Sequence, residues 1–374
     1  LALATGGHYV AVVGMIPITD SMNWPRSVPA TAYSLAILGM GVGGIYMGRW
    51  SDRVGVAIPV AAGACSIALG AYWSAHAQSS WELLVANGVL IGLCGNAAFF
   101  VPLMANVTRW FTVHRGIAVG IVSAGQSLGG AVWPPVHRLL IEQSGWRSTY
   151  VTFAILMLCC AFPLAWMLRH RPPAPVRHAT AARSGPDVPS SIAPTLNVSK
   201  RTLHVTLCLA IVGCCVAMSM PMVHVIAHAS DLGHSVARAA EILSVLLLAS
   251  FVSRLLWGAL SDRIGGLSTL ALSSICQAVM LVAFLVVDSL MGLYVVAALY
   301  GLAYGGIVPT YSVIVREHFP TSELGWRIGV VYLFGTVGMA TGGVLGGVIF
   351  DWVGNYVAAF SVGLAFNVAN LVLI

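Results

Sequence analysis

Apolar stretches, each closed by charged or turn residues, recur along the whole chain at roughly the 20 residues a helix needs to cross about 30 Å of hydrocarbon. They fall at 1–20, 28–48, 56–77, 82–108, 114–138 and 148–168, and again at 204–229, 235–258, 267–287, 290–315, 325–349 and 354–374. Strands of a membrane barrel would be half as long and would alternate apolar with polar positions, so helices are predicted throughout. Between the two sets of six, residues 169–203 open with Arg169-His170-Arg171-Pro172-Pro173 and continue rich in Pro, Ser, Ala and Arg without an apolar period. That composition predicts a flexible linker. The expected architecture is an all-α membrane protein of twelve transmembrane helices, with one six-helix bundle at 1–168, a cytoplasmic linker at 169–203 and a second bundle at 204–374.

The two sets repeat one another. Gly48-Arg49-Trp50-Ser51-Asp52-Arg53-Val54-Gly55 returns 210 positions later as Gly258-Ala259-Leu260-Ser261-Asp262-Arg263-Ile264-Gly265. Each copy joins the second and third spans of its set. Gly92, Pro102 and Arg109 of the fourth span likewise align with Gly301, Pro309 and Arg316 of the tenth. Parallel repeats of this kind make pseudo-symmetric bundles that rock about a site near mid-membrane, which is the architecture of a transporter. The clusters Gly41/Gly43/Gly44, Gly125/Gly129/Gly130 and Gly342/Gly343/Gly346/Gly347 lack the Lys-Ser/Thr of a phosphate cradle. They read as surfaces where helices pack closely.

Composition agrees with the spans: 58% of the 374 residues are hydrophobic and 8% charged, too few charges to clothe a soluble domain of this length. The net charge of +6 has a topological origin and calls for no nucleic-acid partner. Arg49, Arg53, Arg109, Arg115, Arg169, Arg171, Arg177, Arg183, Lys200, Arg201, Arg263, Arg316 and Arg327, 13 of the 18 basic residues, fall on the side that holds both termini and the linker. By the positive-inside rule that side is cytoplasmic. Arg26, Arg138, Arg147 and Arg238 lie near outer ends, and only Arg254 lies within a span. The eight cysteines sit in apolar segments without metal-ligand spacing, so no metal or cofactor is expected. Nor is an enzyme, since neither a His-Glu-x-x-His helix nor a catalytic carboxylate pair is present. Leu1 begins inside an apolar stretch with no basic n-region before it, so a trimmed N-terminus is expected.

The repeated Gly-x-x-x-Asp-Arg-x-Gly turn resembles the signature of the major facilitator superfamily. Longer strings are similar to its monocarboxylate and oxalate/formate-type carriers. They include Arg109-Trp110-Phe111-Thr112-Val113-His114-Arg115-Gly116, Ser123-Ala124-Gly125, Trp133-Pro134-Pro135, Pro221-Met222-Val223-His224 and Ser253-Arg254-Leu255-Leu256-Trp257-Gly258. The resemblance implies the major facilitator fold and a gating role for Gly48, Asp52, Arg53, Gly55, Asp262 and Arg263. In that role the carboxylate binds the positive end of a helix from the opposite half when the inner gate is shut. It also implies that Arg254 holds the substrate. Two departures weaken the case for proton coupling: Ser250 stands where those carriers often have an aspartate, and no lysine occurs between Leu1 and Asp20.

An unpaired guanidinium within a span costs about 2.5 kcal/mol or more, so Arg254 requires a partner. A substrate carboxylate received by its planar fork is one answer, and snorkelling or pairing with Asp262 is the other. His224 is the candidate proton-coupling group because imidazole titrates near neutral pH, with a hydrogen-bonded interhelical role as the alternative. His228 and His8 are weaker candidates. Asn96 and Phe100 before Pro102, Tyr304 and Tyr311 around Pro309, Gln126 and Tyr332 are candidate walls and polar contacts for a small organic acid. The expectation is a monomeric secondary transporter in the lipid bilayer of a bacterial inner membrane, moving a small monocarboxylate anion together with protons. Exchange of two carboxylates and export of a lipophilic compound remain the alternatives.

Overall fold

The computed structural model of the chain describes residues 1–25, 27–111, 114–170 and 199–374. Arg26, Thr112, Val113 and most of the expected linker, with Arg171, Arg177 and Arg183, lie outside the described residues. The first span consists of α1 (Ala2–Val13) and α2 (Met15–Met22), bent by 50°. Then come α3 (Ser27–Val54), α4 (Ala57–His76) and α5 (Ser80–Val85), which runs through a π-helical segment, Ala86–Asn96, into α6 (Ala97–Trp110). The long α7 (Arg115–Met167) closes the first half. The second half contains α8 (Lys200–Asp231), α9 (Val236–Ile264), α10 (Gly266–Val286), α11 (Leu290–Tyr304), α12 (Ile307–His318), α13 (Leu324–Val353) and α14 (Tyr356–Leu373).

Among the described residues, ten helices are long and apolar enough to cross a bilayer, and the bent pair α1–α2 makes an eleventh crossing. The twelfth comes from α7, which Gly145 divides with φ 80 and ψ 164, a backbone conformation nearly confined to glycine. The outer loop expected between 138 and 148 is therefore a single-residue break. An Arg138–Glu142 pair one helical turn apart, with a nitrogen–oxygen distance of 2.8 Å, supports the helix beyond the hydrocarbon.

Two further departures from the expected spans have local causes. In the fourth span, Gly88 and Gly92 meet Leu35 and Ala36 of α3, while Gly39 of α3 meets the Gly88 carbonyl. The helix widens to π geometry along this contact, and Ser66 on α4 donates to the Leu90 carbonyl at 2.8 Å. In the tenth span, Pro309 cannot donate to Gly305, and the helix breaks at Gly305–Gly306. The Leu302 carbonyl just before the break accepts from Ser253 at 2.6 Å and from Trp257 at 2.7 Å, which ties α11 to α9. The signature residues are also helical where a loop was expected: Asp52 and Asp262 lie in the last turns of α3 and α9. Only Gly55 and Gly265, with φ 88 and 83, turn the chain.

Each half has its own apolar core. Ile67, Ile91, Tyr150, Phe153 and Met157 fill the first. Ile211, Leu246, Phe284, Tyr300 and Phe360 fill the second, which extends to Val101, Met104, Ala105 and Val119 of the first half. Leu248, Val286, Trp352 and many other large apolar side chains remain exposed, as suits a surface that faces lipid.

Gly145→Ala is expected to cost about 1–3 kcal/mol through the strained backbone, seen as a lower melting midpoint of the detergent-purified protein. Gly347→Ala is the matched control. Its new methyl would meet nothing nearer than His224 at 3.9 Å inside a helix, so stability should hold or rise slightly.

Candidate functional site

The two halves meet at backbone level along two seams. On one, α3 crosses α13, and a methyl group at Gly48 would collide with the Gly325 carbonyl and the reverse. On the other, α9 crosses α7, with Gly258 and Gly116 in the same relation. One turn further into the membrane, Gly329 lies against Gly44 on the first seam, and Gly120 lies against the Arg254 backbone on the second. Arg254 thus occupies the position that Gly44 holds in the other repeat.

These crossings bring each signature carboxylate to the start of a helix in the opposite half. Asp52 accepts from the backbone N–H of Gly325 at 3.0 Å and of Trp326 at 3.2 Å, at the beginning of α13. Asp262 accepts from Gly116 at 2.6 Å and Ile117 at 3.1 Å, at the beginning of α7. Both sites match a negative charge to the free N–H groups and positive dipole end of a helix. Asp52 is also ion-paired with Arg109, whose guanidinium donates to the Thr321 carbonyl at 3.1 Å. Arg316, the repeat counterpart of Arg109, has a buried Nε with no partner. Each carboxylate thus latches one half to the other. Arg53 and Arg263 are exposed and stand outside these contacts.

Arg254 is half-buried on α9. Its Nη1 donates to the Ser123 carbonyl of α7 at 2.8 Å, a neutral acceptor in the opposite half, and its enclosed Nε has no partner. Among the described residues no carboxylate stands within ion-pair distance of it. The expected alternative of pairing with Asp262 is corrected, because that carboxylate is spent on α7. The phenols of Tyr304 and Tyr332 lie near the guanidinium. Tyr332 is hydrogen-bonded to Ser312, and Phe100 rests on its ring at 5.0 Å between centroids, so the wall beside Arg254 spans both halves. A crevice of only about 10 Å³, barely the room of one water molecule, lies among Arg254, Gly116, Gly258, Ser261, Gly306 and Thr310.

Of the candidates read from the sequence, Arg254, Tyr304, Tyr332 and Phe100 come together. Gln126 is half-buried without a hydrogen-bond partner among the described residues, one turn beyond Ser123 on α7. Asn96 is turned into the first half, its Nδ2 3.4 Å from His8 Nδ1. Tyr311 is buried in the second core beside Cys214 Sγ at 3.7 Å. His224 is not brought to Arg254. Its Nε2 donates to the Gly343 carbonyl at 2.9 Å, its ring stacks on Tyr356 at 5.2 Å, and it fills the space a side chain at Gly346 would need. His228 packs edge-on to Phe360 at 5.2 Å. Sequence reasoning missed the Ser123 carbonyl, which no side-chain type announces, and the Arg109–Asp52 pair, whose members lie 57 positions apart.

The family model described as Major Facilitator Superfamily matches residues 1–205 and 205–374 of the chain. Monocarboxylate transporter 13 of Rattus norvegicus is 29% identical over 322 residues, covering 86% of this chain and 73% of that protein. The MFS-type transporter pynF of Aspergillus niger is 26% identical over 320 residues, covering 85% of this chain and 71% of that protein. The fucose:proton symporter FucP of E. coli is structurally similar, with a TM-score of 0.72 at 14% identity over 100% of this chain and 95% of that one. At that identity the likeness concerns the fold.

The two latches are expected to differ in strength, because Asp52 has a guanidinium partner and Asp262 has none among the described residues. Losing a charged hydrogen bond costs about 1.5–3 kcal/mol, so Asp52→Asn is expected to shift the gate toward open by about tenfold or more, and Asp262→Asn by less. Val101 packs against Gly44 and Gly48 inside the seam. A cysteine replacing Val101 should therefore react faster with an impermeant maleimide applied from the inner side in Asp52→Asn. Equal rates in the two variants would show that Arg109 adds nothing to the latch.

Proposed function

The chain belongs to the Major Facilitator Superfamily, and from the surroundings of Arg254 we propose that it carries a small monocarboxylate across the membrane by alternating access, together with a proton. One observation carries the reading: a guanidinium inside the bilayer region holds a single neutral carbonyl from the opposite half and keeps its Nε free. A carboxylate would supply the missing charge and accept two parallel hydrogen bonds from the fork. Tyr304 and Tyr332 would offer hydroxyls beside it, and Phe100 an apolar wall for a short carbon chain.

The bodies that move in this reading are 1–168 and 204–374, joined by 169–203, with both termini on the cytoplasmic side of a bacterial inner membrane. The distribution of basic residues supports that orientation. Outer access comes first, since both inner latches are engaged. The monocarboxylate transporter named among the relatives supports the substrate class. A membrane potential of ~100 mV opposes entry of one negative charge by about 2.3 kcal/mol, and a co-transported proton removes that opposition. Exchange of one carboxylate for another is the second reading. It is favoured by Ser250, which leaves no acid one turn from Arg254.

Reconstituted protein is expected to accumulate labelled lactate or pyruvate when the outer solution is acidic. Arg254→Lys, which keeps the charge and loses the fork, should reduce uptake by about tenfold or more with the melting midpoint unchanged. Unchanged uptake would remove Arg254 from the site. Counterflow without any pH-driven accumulation would establish exchange instead.

A further inference from the structure

Two buried imidazoles in the first half take no part in the Arg254 site. His8 on α1 is 4% exposed, and His137, in the first part of α7, is fully buried. His137 Nε2 lies 3.0 Å from the Gly6 carbonyl, which can only accept, so Nε2 bears the hydrogen and Nδ1 bears a lone pair. That Nδ1 is enclosed and has no hydrogen-bond partner. His8 is arranged alike: Asn96 Nδ2 donates toward its Nδ1 at 3.4 Å, which makes Nδ1 the lone-pair side. His137 is bonded to the Gly6 carbonyl, two positions before His8 on α1, so a proton on one ring opposes a proton on the other and the pair takes a single added charge.

Burial opposes such a charge, and the aromatic rings around the pair offset part of that cost. Tyr9 lies 4.6 Å and Tyr33 on α3 5.5 Å from the His8 ring, and their π faces can stabilise an imidazolium. Trp133 stacks on His137 at 5.0 Å, and Phe153 meets it edge-on at 5.6 Å. Tyr9 and Tyr33 are the titratable groups that face the pair, and among the described residues no carboxylate, lysine or arginine contacts either ring.

The pair is also joined to the helix that holds Arg254. Trp133 donates to the Ala2 carbonyl at 2.6 Å and His137 to the Gly6 carbonyl, which fastens α1 to α7. Ser123, whose carbonyl receives the Arg254 guanidinium, lies on the same helix. A proton added at His137 Nδ1 creates a donor where no acceptor stands, so the protonated and neutral forms favour different arrangements of the α1–α7 contact. A ligand that favours one arrangement shifts the population toward it.

We propose that the His8–His137 pair is the proton-binding site of the transport cycle. This rests on the carboxylate reading. Outer solvent gives up one proton to an imidazole Nδ1 lone pair, the pair passes from neutral to singly positive, and with one carboxylate at Arg254 the loaded carrier crosses without added net charge. Return of the proton to the inner solution regenerates the neutral pair.

The test compares unsubstituted protein with His8→Gln and His137→Gln in proteoliposomes, using labelled lactate and pyruvate. Two rates are read: accumulation driven by a pH gradient, and counterflow at equal pH, which needs substrate binding without net proton movement. Accumulation is expected to fall by about tenfold or more in both variants while counterflow stays within about threefold. A second measurement follows proton uptake with a pH dye as substrate is added to the detergent-purified protein in weak buffer. Unsubstituted protein should take up protons, and His137→Gln should not. Full pH-driven accumulation in both variants overturns the assignment, as does equal loss of both rates with an unchanged melting midpoint, which marks a packing role. If unsubstituted protein neither accumulates nor exchanges a carboxylate, or Arg254→Lys transports normally, the carboxylate reading falls and takes this one with it.

Discussion

Backbone contact between helices of opposite halves, at Gly48 with Gly325 and at Gly258 with Gly116, is the constraint on which the cross-half carboxylate contacts and the setting of Arg254 both depend. Without side chains at these four positions the helices approach closely enough for Asp52 and Asp262, one turn away, to reach the first amides of α13 and α7. The same approach places the Arg254 guanidinium beside the Ser123 carbonyl. Lipid gives no hydrophobic push between helices, so contact surfaces of this kind must supply the association themselves.

Duplication alone would have made two equivalent seams, and specificity arises where the copies differ. Gly44 and Arg254 are repeat counterparts, yet one is a contact surface and the other a cation. Arg109 and Arg316 are counterparts as well, but among the described residues only Arg109 is ion-paired to the signature carboxylate of its half. The symmetric parts make the two crossings alike, and the asymmetric parts set Arg254 and the Asp52–Arg109 pair apart.

Much of this was legible in the chain. Span lengths, the repeated Asp-Arg turn and an arginine inside an apolar stretch are local signals, and twelve crossings, the carboxylates near the ends of α3 and α9 and the place of Arg254 within α9 follow them closely. The π-helical stretch at Ala86–Asn96 was not legible, because it answers to glycines on two helices at once. The unbroken run of α7 to Gly145 was hidden because an ion pair on the helix surface carries it past the apolar stretch. His224 shows the opposite difficulty. Its chemistry invited a role in coupling, but its placement depends on Gly343, Gly346 and Tyr356, more than a hundred positions away, which enclose the ring. His137 drew no attention in the sequence, since only the Gly6 carbonyl fixes which of its nitrogens is free.

The hold on Arg254 comes from a main-chain oxygen, and this has an evolutionary consequence. Substitution at position 123 changes a side chain but leaves the carbonyl in place, so the anchor tolerates drift along α7. Phe100, Tyr304 and Tyr332 are held by side-chain contacts and carry no such protection. A lineage could reshape the walls beside the guanidinium while the guanidinium itself stayed in place, and paralogues would diversify first in the room around that cation.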